Sequence, residues 1–296
     1  PKPMQVEKKR MEASARLTCS FLGLKEGDSA LLCMPLQYIA GKMVVVRSLV
    51  AGLRLIPMTP SGHPLKDLKE APTFAAMIPM QVYNTLQVTE EKAILMGIKH
   101  LIIGGGAIDD ALANELKDFP NQVWSTYGMT ETLSHIALRR LNGTDASDWY
   151  TPFDNVRIRL SEEGTLIIHA PNVCAEELIT NDIAEINEEG KFRILGRKDN
   201  TINSGGVKIQ IEQVESHLKK HLDTPFLISA RKDAKFGEIV VLIYNKVGNE
   251  DDIRRVCESE LPTYWVPKAY IAVDELPMTG TGKPDRASAR RIANGE

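Results

Sequence analysis

Cysteine is scarce and never closely spaced. Cys19, Cys33, Cys174 and Cys257 are scattered with no CxxC pair, which reads as four reduced thiols in a cytoplasmic protein. Long apolar runs are missing too. A membrane span needs ~20 apolar residues, and the stretch from Met43 to Met58 is broken by Arg47, Arg54 and Pro57, so stable membrane insertion is not expected. A strong charge imbalance is also lacking. The formal net charge of -3 gives no reason to expect nucleic acid or an anionic membrane as partner. No internal repeat, low-complexity tract or signal-peptide pattern is legible in the numbered residues.

What is there suits a globular enzyme or binding protein. With 296 residues, 43% of them hydrophobic, the chain can hold one large domain or two smaller ones. The spacing predicts a helix over Pro1 to Leu24, then strands at Ala30–Met34, Leu55–Met58, Phe74–Ile78, Leu101–Ile103 and Val123–Trp124. Helices are predicted between them: Gly41–Leu53, one opened by Pro79, Glu90–Met96 and Ile108–Leu116. This alternation implies a parallel sheet covered by helices. After Pro152 the pattern changes to hairpins around Ser161–Gly164 and Asn187–Gly190, with Thr180-Asn181-Asp182 read as a turn between them. A compact α+β unit follows, ending in a helix from Asp285. The expected fold is therefore α/β with an antiparallel β section, as a large N-terminal domain over 1–198 and a small α+β C-terminal domain over 199–296. The boundary at Lys198-Asp199 makes Asp199 the hinge candidate, since hinges are a few element-end residues. The chain opens on Pro1-Lys2 rather than on methionine, so a preceding segment of the N-terminal domain is expected to be absent from the numbered residues.

Two strand-to-turn elements carry the chemistry. Gln122-Val123-Trp124 leads into Ser125-Thr126-Tyr127-Gly128-Met129-Thr130-Glu131, read as a glycine turn with hydroxyls and one carboxylate. Such a turn can bring backbone N–H groups, threonine hydroxyls and a metal-binding glutamate onto one phosphate. Leu101-Ile102-Ile103 leads into Gly104-Gly105-Gly106-Ala107, where the missing Cβ atoms let backbone approach a flat ligand closely. Further along come Gly196-Arg197-Lys198-Asp199, Ser204-Gly205-Gly206-Val207-Lys208 and Thr279-Gly280-Thr281-Gly282-Lys283.

In this order the motifs resemble the adenylate-forming superfamily of acyl-CoA synthetases, luciferases and peptide-synthetase adenylation domains. The resemblance implies ATP, Mg²⁺ and coenzyme A as ligands and assigns roles residue by residue. Gly104, Gly105, Gly106 and Ala107 wall the adenine and acyl pockets, Tyr127 stacks on adenine beside Gly128, and Thr126 and Thr130 bond the α-phosphate. Glu131 holds Mg²⁺. Asp182 accepts the ribose hydroxyls and Arg197 reaches ribose or phosphate. Lys2 is the last letter of a phosphate loop whose Ser/Thr/Gly part is not in the numbered chain. Gly205 and Gly206 pass the thiol arm of CoA, and Lys283 serves charge developing between the attacking carboxylate and the α-phosphate.

Pro35-Leu36-Gln37-Tyr38-Ile39-Ala40-Gly41 resembles the segment lining the acyl pocket, placing Tyr38 and Gly41 there with Met129, Ser134 and His135. Its apolar and aromatic character suits a ring-bearing carboxylic acid. Within the superfamily, Pro35–Leu53 and Tyr127–Arg140 are most similar to the o-succinylbenzoate–CoA ligases of menaquinone biosynthesis. Arg139, Arg140 and His135 are the candidates for meeting a second carboxylate. The alternatives are another aryl- or acyl-CoA ligase, an adenylation domain loading a carrier protein, and a non-catalytic nucleotide- or acyl-CoA-binding module. A homodimer is compatible with the sequence.

Overall fold

β-Branched and aliphatic runs too short for helices, separated by amphipathic stretches, build the first half of the chain. The computed structural model describes residues 5–106, 108, 110–279 and 283–296. Pro1, Lys2, Ala107 and Gly280–Gly282 lie outside the described residues. In chain order come α1 (Lys8–Leu22), β1 (Ser29–Leu32), α2 (Ile39–Ala51), β2 (Arg54–Pro57) and β3 (Phe74–Met77). They are followed by α3 (Pro79–Leu86), α4 (Thr89–Gly97), β4 (His100–Ile103), α5 (Asp110–Leu116), β5 (Gln122–Gly128), β6 (His135–Arg140) and β7 (Thr151–Pro152). α1 ends at Gly23, whose left-handed φ of 67° turns its N–H back onto the helix's last carbonyls.

Among the described residues these strands form one seven-stranded sheet in the order β2-β1-β3-β4-β5-β6-β7. Pairing is parallel from β2 to β5. The parallel sheet expected from the strands through Val123–Trp124 is present, and it is extended by β6, antiparallel to β5, and β7, antiparallel to β6. The reason is the link: a single 3₁₀ turn, Thr130–Thr132, joins β5 to β6, and a parallel crossover needs a dozen or more residues. The parallel strands are buried on both faces. Leu31, Ala75, Met77, Leu101 and Ile103 pack with Val82, Leu95 and Leu116 on one side. Ala30, Leu32, Phe74 and Ile102 pack with Leu22 and Val44 on the other.

The next four strands are β8 (Arg157–Leu160), β9 (Thr165–His169), β10 (Leu178–Ile186) and β11 (Phe192–Arg197), in the sheet order β11-β10-β9-β8. The predicted turns are present, with Gly164 at φ 78° and Gly190 at φ 73°. Asn187 shapes the second by accepting the backbone N–H groups of Glu189 and Lys191 on its side-chain oxygen. Thr180–Asp182, expected as a turn, instead lies inside β10. β9 does not alternate: Thr165 to Ile168 are all buried.

The chain divides into two compact units. The first takes residues up to Ser161 with Ile167–Thr180 and Ile186–Arg193; the second takes Glu162–Leu166, Asn181–Glu185 and Ile194–Glu296. The second unit contains a 3₁₀ turn (Lys198–Asn200), β12 (Thr201–Ser204), β13 (Val207–Gln210), α6 (Ile211–Leu218), β14 (Phe226–Asp233) and β15 (Gly237–Asn245). α7 (Glu250–Glu260), β16 (Ala269–Val273) and α8 (Arg286–Asn294) complete it. Its sheet runs β13-β12-β15-β14, with β16 parallel to β15. α6 and α7 share one core with Ile202, Ile228 and Leu242, while Ala289 and Ala293 of α8 pack with Leu227, Val241 and Ile243. Asn249 and Asp285 cap α7 and α8 through their side-chain oxygens. All four cysteines are free thiols. Among the described residues no helix is long and apolar enough to cross a membrane.

One charged cluster fixes this second core. Both terminal nitrogens of Arg286 donate to Glu215, at 2.6 and 2.7 Å, and the backbone N–H of Ile228 donates to the same carboxylate at 2.8 Å. Glu215 is buried, so Glu215→Ala would strand a guanidinium. We expect about 3 kcal/mol of destabilisation in urea unfolding of the full chain, the low end for a broken buried pair because Arg286 keeps some water contact.

Candidate active site

The parallel register sets the site. Met77 stands opposite Ile103, and Ile103 opposite Ser125, so β3, β4 and β5 reach one edge at their carboxyl ends, where α/β sheets bind ligands. Gly104 leaves β4 with its N–H on the Met77 carbonyl at 3.0 Å. A Cβ there would fall on the Thr126 hydroxyl, so glycine is required for the two strand ends to touch. Gly105 follows at φ 79°, a conformation that disfavours any side chain.

Thr126, Tyr127 and Gly128 are not in a turn, as expected, but in the last residues of β5. The antiparallel partner β6 extends the ladder, with a bulge between Tyr127 and Gly128. Gly128 lies so close to the backbone of Ser134 and His135 that a Cβ would collide with it. The turn proper is Thr130–Thr132, tied by the Thr132 hydroxyl, which donates to the Ser134 carbonyl at 2.7 Å. It closes through Leu133, a buried residue at φ 65°, and such strain is retained where the surroundings enforce it. Thr130 and Glu131 are exposed at its tip, and Glu131 forms no ion pair among the described residues. A free carboxylate beside a hydroxyl fits a hard divalent cation such as Mg²⁺. Tyr127 is half-buried against Phe192 and Tyr150, with ring centroids 5.0 and 5.9 Å away.

Behind this edge a buried polar chain runs through the first unit. Arg47 of α2 is 2% exposed, and its Nη2 donates to the Ser134 hydroxyl at 2.6 Å. Ser134 meets His135 Nδ1 at 3.2 Å, and His135 Nε2 meets the Thr18 hydroxyl at 3.0 Å. No carboxylate among the described residues pairs with Arg47, and its Nε has no hydrogen-bond partner. Burial lowers the Arg47 pKa to about 10. Burial, and then the Arg47 charge, push His135 well below the usual imidazole range, so it is neutral. Sequence reasoning passed over Arg47 except as a break in an apolar run; an arginine amid Met43–Val50 was the available signal. Of the expected anion partners, Arg139 binds Asp148 at 3.0 Å and Arg140 binds Asn142 while lying over Trp124. On the same helix, a Cβ at Gly41 would strike the carbonyls of Met34 and Pro35, so glycine lets that loop close onto α2. Tyr38, just before the helix, is 50% exposed, and Met129 is partly buried after β5.

The remaining expected residues lie in the second unit. Arg197 bridges two carboxylates, Asp182 at 3.3 Å and Asp199 at 3.0 Å, and Asn181 donates to Asp199 at 3.1 Å. The hydrogen bond that Arg197 donates to Asp199, ahead of the Asp182 charge, raises the Arg197 pKa. Gly205 and Gly206, at φ 58° and 85°, make the two-residue turn between β12 and β13, and positive φ at both positions is the type I′ requirement. Lys283 is exposed. Its backbone N–H donates to the Thr279 hydroxyl at 3.1 Å and its carbonyl accepts from Thr279 N–H at 2.7 Å.

Glycines, hydroxyls and one carboxylate thus gather at the strand ends of a parallel sheet, where α/β proteins bind ligands. The chain belongs to the AMP-binding enzyme family, whose model matches residues 1–178, with the AMP-binding enzyme C-terminal domain matching residues 227–283. It is similar to the 2-succinylbenzoate–CoA ligase of Bacillus mycoides (strain KBAB4), at 26% identity over 306 residues, covering 92% of this chain and 63% of that protein. The chain thus spans less than two thirds of the curated relative's length. The acyl-CoA synthetase (AMP-forming)/AMP-acid ligase II-like protein from Dyadobacter fermentans DSM 18053 is 33% identical, with a TM-score of 0.66, covering 97% of this chain and 85% of that one. The o-succinylbenzoate CoA synthetase from Bacillus subtilis, solved with its acyl-adenylate intermediate, shares the fold at a TM-score of 0.82 and 22% identity, over 98% of this chain and 66% of that one.

The neutral His135 carries a pH signature. Its folded pKa is depressed, so below ~6.5 the unfolded chain takes up a proton that the folded chain refuses, and stability falls as pH drops through that value. His135→Asn should flatten the difference between unfolding midpoints at pH 7.5 and pH 5.5, measured by denaturant titration.

Proposed function

We propose that this chain works in an ATP-dependent acid–thiol ligase acting on a ring-bearing dicarboxylic acid, o-succinylbenzoate. One carboxylate of the acid attacks the α-phosphorus of ATP and pyrophosphate leaves; the thiol of coenzyme A then attacks the acyl carbon and AMP leaves. Family membership supports the reaction class. The observation that carries the substrate reading is Arg47, a buried guanidinium with no acid partner among the described residues. A substrate whose second carboxylate reaches that guanidinium would supply what the fold leaves out.

In this reading Gly104–Gly106 and Tyr127 receive adenine, Thr126 and Thr130 orient the α-phosphate, and Asp182 with Arg197 holds the ribose. Glu131 would hold Mg²⁺, which when bound neutralises phosphate charge. Tyr38, Gly41, Met129, Ser134 and His135 line the acid pocket. Lys283 faces the charge developing in the first step, Gly205 and Gly206 pass the thiol arm in the second, and the 199–296 domain turns about Asp199 between them.

ATP–pyrophosphate exchange over a panel of acids tests the substrate. Stimulation by o-succinylbenzoate is expected, with Arg47→Met raising its KM about 10²-fold and leaving monocarboxylic benzoates unaffected. Exchange driven only by benzoates without the succinyl arm would overturn the choice. Lys283→Ala should slow adenylate formation about 10²–10³-fold while sparing thioester formation from supplied acyl adenylate. If calorimetry shows AMP binding but no acid ever yields an adenylate, the chain is a binding module instead.

A further inference from the structure

We propose that His217, His221 and Glu260 form a Zn²⁺ site on the second unit, tying the end of α6 to the end of α7. His217 lies in the last turn of α6, and helical hydrogen bonding continues past it: Lys219 N–H reaches the Glu215 carbonyl at 3.0 Å and Leu222 N–H the Leu218 carbonyl at 2.9 Å. Positions four apart in such a backbone share a face, and the two imidazole centroids stand 5.7 Å apart. Glu260 is the last residue of α7. The Ser259 hydroxyl donates to its Oε1 at 3.1 Å, while its Oε2 lies 3.6 Å from His221 Nε2.

One donor atom from each of the three residues falls within 4.8 Å of the others. Nitrogen and oxygen donors on a tetrahedral zinc, bonded at ~2.0–2.2 Å, stand roughly 3.3–3.5 Å apart. The His221–Glu260 edge is already close to that length, and side-chain rotation closes the other two. The backbone beneath is set in advance, because Val214 and Leu218 of α6 share a core with Ile253 and Cys257 of α7. An exposed His221–Glu260 pair accounts for two of the three side chains, and the helical spacing brings His217 to the same face as a third donor.

Two imidazoles and one carboxylate suit a borderline ion such as Zn²⁺ and leave a coordination position for water. Mg²⁺, which prefers an all-oxygen set, does not fit them. The site is therefore chemically distinct from the Glu131 carboxylate and does not rest on the ligase reading.

Tag-free full chain, titrated with ZnCl₂ and separately with MgCl₂ in a calorimeter, tests it. One zinc per chain is expected, with a rise in thermal midpoint and slower amide exchange around residues 217–222; magnesium should give neither effect through this site. His221→Ala and Glu260→Gln should each weaken zinc at least ~10–100-fold, the loss seen even for groups that only orient metal ligands, without changing the metal-free thermal midpoint beyond that of a surface substitution. Absence of saturable zinc binding would overturn the proposal. So would zinc affinity that survives the His217→Ala, His221→Ala double substitution, or that disappears when the free thiols are alkylated with the histidines intact.

Discussion

The first unit is organised by strand register. Because Met77, Ile103 and Ser125 stand side by side across three parallel strands, the backbone segments after β3, β4 and β5 emerge together. Gly104, just after β4, then meets Thr126 of β5 with no room for a Cβ between them. A one-residue slip in any of these pairings would invert the faces of the strand and scatter that edge. Side-chain size opposes the slip: β3 puts Phe74 and Ala76 into one core and Ala75 and Met77 into the other, and exchanging the faces would misfit both.

The second governing feature is a conflict between stability and use. Burying Arg47 with a serine hydroxyl and no acid beside it among the described residues is unfavourable for folding, because a desolvated cation is compensated only by a partner charge or a full set of hydrogen bonds. The chain Arg47–Ser134–His135–Thr18 supplies part of that set and locks His135 neutral between two hydroxyls. Glu215 and Arg286 in the second unit show the opposite arrangement, a cation and an anion that satisfy each other and a backbone N–H. The satisfied pair belongs to architecture; the unsatisfied cation stands beside residues expected to line a pocket.

Much of this was legible in the sequence because it is local. The first two helices, read as ending at Leu24 and Leu53, the proline opening α3, the final helix from Asp285 and the strand Ala269–Val273 follow from local side-chain pattern. Misses arose where distant chain decides. The extension of β5 through Gly128 depends on hydrogen bonds from β6, and the inclusion of Thr180–Asp182 in β10 depends on its neighbours in the sheet. Neither partner has a signature in the strand it completes. Arg47 was visible as a residue but not as a buried one, because its water is stripped by the packing of α2 against α1 and its contact with the distant Ser134. The convergence of His217 and His221 with Glu260 joins two helices separated by two strands.

The second unit is not one continuous piece of chain. It borrows Glu162–Leu166 and Asn181–Glu185 from earlier sequence, and those short insertions supply Glu163 to Lys198, Asn181 to Asp199 and Asp182 to Arg197. A recombinant fragment cut at residue 199 would therefore carry Asp199 without its amide partner and leave Arg197 behind altogether. Excision, domain grafting or circular permutation of this lobe has to bring the borrowed strands along or redesign the linker they anchor.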